Sequence, residues 1–238
     1  MKCVGIVGGG QLARMLAIAG IPLNLRFAFL DPSGDACAAP LGTYLKRAYD
    51  DSEYLSYIAK HADVVTYEFE NVPNSSVQYL SSHVPVFPSP DALAIARDRL
   101  HEKNLFTQLA IPTVPYEAVN SLSDLNDAVE KIGFPSLLKT RVFGYDGKGQ
   151  RILHGPDDVS PAWNAYGGVP MVLERLVDFD RELSCIAVRA RNGKTVFYPP
   201  SQNVHQKGIL RVSWSRPEDE MTMQIQEYTL KVLDKLDY

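Results

Sequence analysis

Cysteine is scarce in this sequence. Cys3, Cys37 and Cys185 stand far apart, and without a CxxC pair or a Cys/His cluster they form neither a disulfide framework nor a zinc-site spacing. Positive charge is not in excess either. Lys and Arg number 24 against 28 Asp and Glu, for a formal net charge of −4 with the signs mixed along the chain. That balance gives no broad basic field of the kind that nucleic acid or an anionic membrane requires, so neither is expected as a partner and any bound phosphate is held locally. Long apolar runs are missing as well: Met1-Lys2-Cys3-Val4-Gly5-Ile6-Val7 is apolar only until glycines interrupt it, too briefly for a signal-peptide core or a membrane span. A soluble protein in a reducing cytoplasm is the expectation. There is no internal repeat, low-complexity stretch or coiled-coil heptad, and the Walker A pattern G-x-x-x-x-G-K-[ST] is absent.

What is present is a chain of 238 residues with 45% hydrophobic, 22% charged and 10% aromatic residues, long enough for two compact units with their own cores. Residues 3–7 read as a strand ending in Gly8-Gly9-Gly10, and Leu12, Met15, Leu16 and Ala19 follow at helical spacing. Further β-rich runs at 27–30 and 63–67, alternating with helical patterns at 52–61 and 74–82, predict a doubly wound parallel α/β sheet. Residues 84–87 read as one more short strand, and Pro90 as a helix start. Near 97–99 the character changes, which sets a domain boundary there. Helices are expected through Leu100, Leu105 and Leu109 and over 123–132. An apolar run at 136–139 then enters Gly144-Tyr145-Asp146-Gly147-Lys148-Gly149 and leaves through Gln150-Arg151-Ile152-Leu153, a hairpin with an oversized tip. Strands at 171–176, 183–191, 194–198 and 209–214, with an Asn192-Gly193 turn, predict an antiparallel part, and a helix is expected over 218–236.

Each motif admits more than one reading. Gly8, Gly10 and Ala13 fit G-x-G-x-x-A between strand and helix, with Asp31 about 20 residues on, as in a dinucleotide site; the same turn could cradle a phosphoribosyl group or serve only as a tight turn. The second glycine loop, with Lys148 inside it and Lys139 just before it, suits a flap folding over a polyphosphate, or an exposed hairpin tip. Glu174 and Glu182 end and begin strands, where carboxylates commonly face water. Asn203-Val204-His205-Gln206-Lys207-Gly208 interrupts two strand patterns, and His205 there could place a phosphate or carboxylate, or satisfy a loop carbonyl. Glu68 lies at the carboxyl end of a parallel strand, where open α/β sheets hold ligands, although a carboxylate capping a helix gives the same pattern.

Taken in order, these segments resemble the 5-(carboxyamino)imidazole ribonucleotide synthetase family of ATP-grasp ligases. The likeness runs from Gly8-Gly9-Gly10-Gln11-Leu12-Ala13-Arg14-Met15 through Thr66-Tyr67-Glu68-Phe69-Glu70-Asn71-Val72 and Asp98-Arg99-Leu100 to Lys139, the loop 144–150, Glu174, Glu182 and the run 203–211. It implies a Rossmann-like pre-ATP-grasp domain over 1–98, then an α+β ATP-grasp domain in two parts, 99–170 with the glycine-rich flap and 171–238, the latter incomplete. It implies ATP, Mg²⁺ and bicarbonate acting on 5-aminoimidazole ribonucleotide in purine biosynthesis, by way of a carboxyphosphate, in a homodimer.

By that resemblance ATP is bound by Arg99, Lys139, Gly144, Tyr145, Asp146, Gly147, Lys148, Gly149, Gln150, Glu174, Arg175, Leu176, Val177, Glu182 and His205. Gln11, Leu12 and Glu68 take the ribonucleotide, and Lys148, Tyr145 and Asp146 are the catalytic candidates. The family's magnesium ligands are expected beyond residue 238, so this chain is expected to lack a metal site and not to turn over unaided. Competing readings are another ATP-grasp ligase of the phosphoribosyl-glycinamide or biotin-carboxylase type, a nicotinamide oxidoreductase, and a non-catalytic nucleotide-binding remnant.

Overall fold

A computed structural model describes residues 1–144, 148–206 and 208–238. The chain divides into two compact units, Met1–Ala96 with Tyr238, and Arg97–Asp237.

In the first unit β1 (Cys3–Val7) leads through the glycine turn into α1 (Gln11–Gly20), and then follow β2 (Arg26–Leu30), β3 (Thr43–Leu45), α2 (Ser52–His61), β4 (Val64–Tyr67), α3 (Asn74–Ser81) and α4 (Pro90–Ala96). The four strands make one parallel sheet in the order β3-β2-β1-β4. Ile6, Val7, Phe29 and Leu30 are fully buried within it, as the continuous apolar runs of a sheet covered on both faces require. Local chemistry sets the helix ends: Asp51 accepts from the backbone N–H groups of Glu53 and Tyr54 at the start of α2, while Lys60 and His61 sit in its last turn, matching the helix dipole at both ends. The strand expected at 84–87 reduces to a single parallel bridge between Val65 and Val86, since Pro85 and Pro88 remove the donors that a longer pairing needs. The three-residue β3 gave too short a pattern to read.

The second unit opens with α5 (Arg99–Gln108), β5 (Tyr116–Val119), α6 (Leu122–Ile132), β6 (Ser136–Thr140), β7 (Gln150–Leu153), α7 (Val159–Ala165) and β8 (Met171–Arg175). Its antiparallel sheet runs β5-β8-β6-β7. The face carrying Leu138, Leu153, Met171 and Leu173 packs with Leu125, Ala128 and Ile132 of α6 and with Val159 and Ala162 of α7. Ser121 caps α6 by accepting from the Asp124 N–H, the Asp124 carboxylate accepts from the Asn120 N–H, and Gly133 ends the helix at φ +80°, a reciprocal cap and a left-handed stop.

The rest consists of β9 (Glu182–Ser184), β10 (Ala187–Arg189), β11 (Thr195–Phe197), β12 (Ser201–Gln206), β13 (Ile209–Ser215) and α8 (Thr222–Lys235). Three expectations are corrected here. The strand read over 183–191 is two, β9 and β10, which belong to different sheets. The run 203–208, read as a polar interruption, lies largely in β12, the central strand of the sheet β13-β12-β9, which shifts register between Val204 and His205. No residue of β12 is fully buried, so the apolar alternation that marks a strand is absent from its sequence. The last helix begins at Thr222 rather than 218.

Candidate functional site

In the first unit, β1 and β4 are parallel neighbours, so the glycine turn and Glu68 meet at the carboxyl ends of adjacent strands, as the sequence predicted. The Glu68 carboxylate accepts from the Gly10 N–H at 2.6 Å and the Leu12 N–H at 3.3 Å. It thus caps α1, satisfying N–H groups that a helix start leaves free. Asp31 binds the same turn from the other side, accepting from Gly9 N–H at 2.9 Å, Ser33 N–H at 2.8 Å and Tyr49 Oη–H at 2.8 Å. Burial and that hydrogen bond push the Tyr49 phenol well up. The glycines make room for these carboxylates. A Cβ on Gly10 would run into Glu68 Oε1, one on Gly8, held at φ +123°, would lie 2.6 Å from Glu68 Cβ, and one on Gly9 would lie 3.0 Å from Asp31 Cβ. Gln11 and Leu12 are exposed on the first turn of α1.

The fingerprint position Asp31 is therefore occupied by its own turn, not presented to a ribose, which removes the feature that favoured a nicotinamide cofactor.

In the second unit the centre is Glu174, 6% exposed near the end of β8. Register sets its neighbours: Tyr116 of β5 and Leu137 of β6 lie opposite it, and Lys139 two residues on shares the face. Glu174 Oε2 receives Lys139 Nζ at 3.0 Å and Lys103 Nζ of α5 at 3.2 Å. The Lys103 and Lys139 side chains are 13% and 19% exposed. Two ammonium groups on one carboxylate oxygen leave positive charge in excess in a largely shielded place, which attracts an anion strongly. Glu102, on the same face of α5, has its carboxyl raised by burial, which outweighs the pull of Arg99, Lys103 and Lys139.

Arg99 donates from Nη2 to the Gly144 carbonyl at 3.1 Å, and Thr140 N–H donates to the Gly149 carbonyl at 2.8 Å, so one end of the glycine loop is tied to the start of α5 and the other to the end of β6. Lys148 is exposed, and Gln150 pairs with Lys139 across β6 and β7. Glu182 and His205, expected separately, meet: His205 Nδ1 lies 2.7 Å from Glu182 Oε2, on adjacent strands. Arg175 is exposed at the end of β8, on the opposite face from Glu174 by strand alternation. Leu176 N–H donates to the Pro135 carbonyl, and Val177 is 49% exposed. Tyr145, Asp146, Gly147 and Lys207 lie outside the described residues.

Sequence reasoning missed Lys103, Glu102 and Tyr116. The signal was the helical spacing of Arg99, Glu102 and Lys103, which puts all three on one face of α5. Among the described residues no three His, Cys, Asp or Glu side chains come together as metal ligands, and no helix is long and apolar enough to cross a membrane.

The chain belongs to the ATP-grasp family. The family model for the ATP-grasp domain matches residues 104–238, and that for the ribonucleotide synthetase preATP-grasp domain matches residues 1–97. Among individual proteins it is similar to the N5-carboxyaminoimidazole ribonucleotide synthase of Pseudomonas aeruginosa, 49% identical over 99% of this chain and 65% of that one. It also resembles the crystal structure of N5-carboxyaminoimidazole ribonucleotide synthetase from Thermus thermophilus, with a TM-score of 0.92 and 42% identity over 99% of this chain and 64% of that one. The Aspergillus clavatus synthase, solved with ADP and 5-aminoimidazole ribonucleotide, gives a TM-score of 0.86 and 25% identity over 98% of this chain and 62% of that one. The chain thus spans about two thirds of the length of the relatives it matches.

Proposed function

We propose that this chain is the nucleotide- and ribonucleotide-binding part of an ATP-dependent carbon–nitrogen ligase that carboxylates 5-aminoimidazole ribonucleotide with bicarbonate in purine biosynthesis. In this reading a bicarbonate oxygen attacks the γ-phosphorus of ATP and ADP leaves, giving carboxyphosphate. The exocyclic amine of the ribonucleotide then attacks the carboxyl carbon, phosphate leaves, and the amine loses a proton. Such chemistry asks mainly for positioning and charge neutralisation.

One observation carries the reading: Lys139 and Lys103 share a single buried carboxylate oxygen of Glu174. Arriving phosphate can take over one ammonium group while the other keeps Glu174 paired. Around that centre Arg99, the loop 144–150 and Lys148 are assigned to the polyphosphate, with Tyr145 and Asp146 joining Lys148 at the transferring group by resemblance. Glu174, Arg175, Leu176, Val177 and the Glu182–His205 pair are assigned to adenosine. Gln11, Leu12 and Glu68 are assigned to the ribonucleotide, Glu68 through the lone pairs that the Gly10 and Leu12 N–H groups leave over. Mg²⁺ enters as the companion of ATP. Among the described residues no three His, Cys, Asp or Glu side chains come together to hold it, and Glu174 is already matched by two lysines. A cytoplasmic homodimer completes the reading.

Because the chain spans 65% of the Pseudomonas relative, the test on it is binding. Calorimetric titration is expected to give saturable binding of ATP and of 5-aminoimidazole ribonucleotide, and no displacement of ATP by NADH. Binding of phosphoribosyl-glycinamide in place of 5-aminoimidazole ribonucleotide would favour the runner-up ligase, and absence of ATP binding would overturn the assignment.

A further inference from the structure

Asp98 is not among the groups assigned to a ligand, yet its carboxylate is held by both a backbone donor and an arginine. Its Oδ1 caps α5 by accepting from Leu100 N–H at 2.9 Å and also accepts from Arg141 Nε at 2.9 Å, while Oδ2 takes Arg141 Nη2 at 2.6 Å. The pair is largely buried, with side chains 14% and 19% exposed. A backbone bond runs beside it, from Arg99 N–H to the Arg141 carbonyl at 3.0 Å. The start of α5 is thereby fastened to the segment between β6 and the glycine loop. Burial raises the Asp98 carboxyl, but the Arg141 and Leu100 hydrogen bonds outweigh it and hold the group below its ordinary value, as for a bidentate pair with a committed charge.

Core packing does not do this fastening. A cavity of about 500 Å³, lined by Asp98, Thr140, Arg141, Phe143 and Pro170 among others, adjoins the segment. Phe143 is 60% exposed and held at φ +60°, a conformation a bulky residue keeps only when its surroundings impose it. Around it lie the Arg97 guanidinium, 5.6 Å from its ring, and the Arg99 bond to Gly144.

We infer that Asp98 and Arg141 are positioning residues for the polyphosphate: they touch no nucleotide, but their bidentate pair sets the Arg99 guanidinium and the first glycine of the loop in register with Lys139. The inference rests on the assignment of Arg99 and the loop to ATP made above. The cap at the start of α5 also fixes the rotation of that helix about its axis, and so the direction in which the face carrying Arg99 and Lys103 is turned.

The test is a set of equilibrium titrations with ATP and with AMP on the intact chain and on the variants Asp98→Asn, Arg141→Lys and Arg99→Ala, alone and combined. Asp98→Asn keeps an acceptor for the cap. Each pair variant is expected to weaken ATP binding about tenfold, to leave AMP within about twofold, and to add nothing further in the Arg99→Ala background. Equal weakening of ATP and AMP, additive losses with Arg99→Ala, or unchanged ATP affinity would each overturn the inference. Loss of the fold in both pair variants would do so too, assigning the pair a purely structural role. Failure of the unaltered chain to bind ATP would instead strike the assignment on which the inference stands.

Discussion

Each unit gathers its candidate site around one glutamate, and the two are held in opposite ways. Glu68 is bound by backbone, through the Gly10 and Leu12 N–H groups, whereas Glu174 is bound by side chains, the ammonium groups of Lys103 and Lys139. Backbone donors at a helix start cannot leave, so Glu68 is fixed and the turn is built to its shape. Lysines on flexible stems can turn to another anion. The difference separates a scaffold carboxylate from a counter-ion that a polyphosphate can replace. It also divides the glycines: those of residues 8–10 admit carboxylates into the turn, whereas Gly144 and Gly149 are held through their carbonyls, by Arg99 Nη2 and by the Thr140 N–H.

The comparison breaks most visibly at Glu174. Glu174→Gln leaves two shielded ammonium groups without a counter-charge, and is expected to lower the unfolding free energy of the second unit by about 3 kcal/mol, measured by denaturant titration. Lys103→Met in the same chain is expected to recover part of that loss. Next comes Gly10→Ala, where the added carbon meets Glu68 Oε1. A loss of about 2 kcal/mol is expected, and a smaller one in a Glu68→Ala background, read as thermal shifts. Gly144→Ala provides the contrast. Its nearest neighbours would be Arg99 Nη2 and Thr140 Oγ1, both at 3.3 Å, and side-chain ends can move aside, so about 0.5 kcal/mol or less is expected.

The smallest effect is the dependence on acid. Asp98 has its folded value lowered from 3.8, so the folded state binds that proton less readily than the unfolded chain. Its stabilisation is present above the ordinary carboxylate value and is lost as pH falls through the lowered one. Glu102, raised from 4.5, acts with the opposite sign, favouring the folded state as pH falls through its raised value. Asp98→Asn is therefore expected to flatten the acid limb of the melting profile of the second unit, and Glu102→Gln to steepen the fall on acidification.

Much of this was legible in residues alone, because the signals were local. The parallel order of β1 and β4 followed from apolar runs closing on Gly8 and on Glu68, and their meeting followed from the sheet rule. What Glu68 does there was not legible. Its carboxylate caps α1, the helix preceding it by many residues, where pattern alone admitted a ligand contact or a helix cap without saying which helix. Asp31 misled for the same reason, since its spacing fits a ribose contact and its partners Gly9 and Tyr49 are seen only in space. Lys103 was overlooked because its place at Glu174 depends on how α5 packs over the sheet, and sequence gives the face of a helix but not its neighbour. The strand β12 was hidden by its polar, incompletely buried composition.

The central claim is that ATP binds at the lysine-held carboxylate and not at the backbone-held one, and a titration of ATP and of NADH into the unaltered chain, Lys139→Ala and Glu68→Gln tests it most directly. The expected result is that Lys139→Ala weakens ATP binding at least about tenfold, that Glu68→Gln leaves ATP binding unchanged, and that NADH binds none of the three. ATP binding indifferent to Lys139, or NADH binding sensitive to Glu68, would contradict the account.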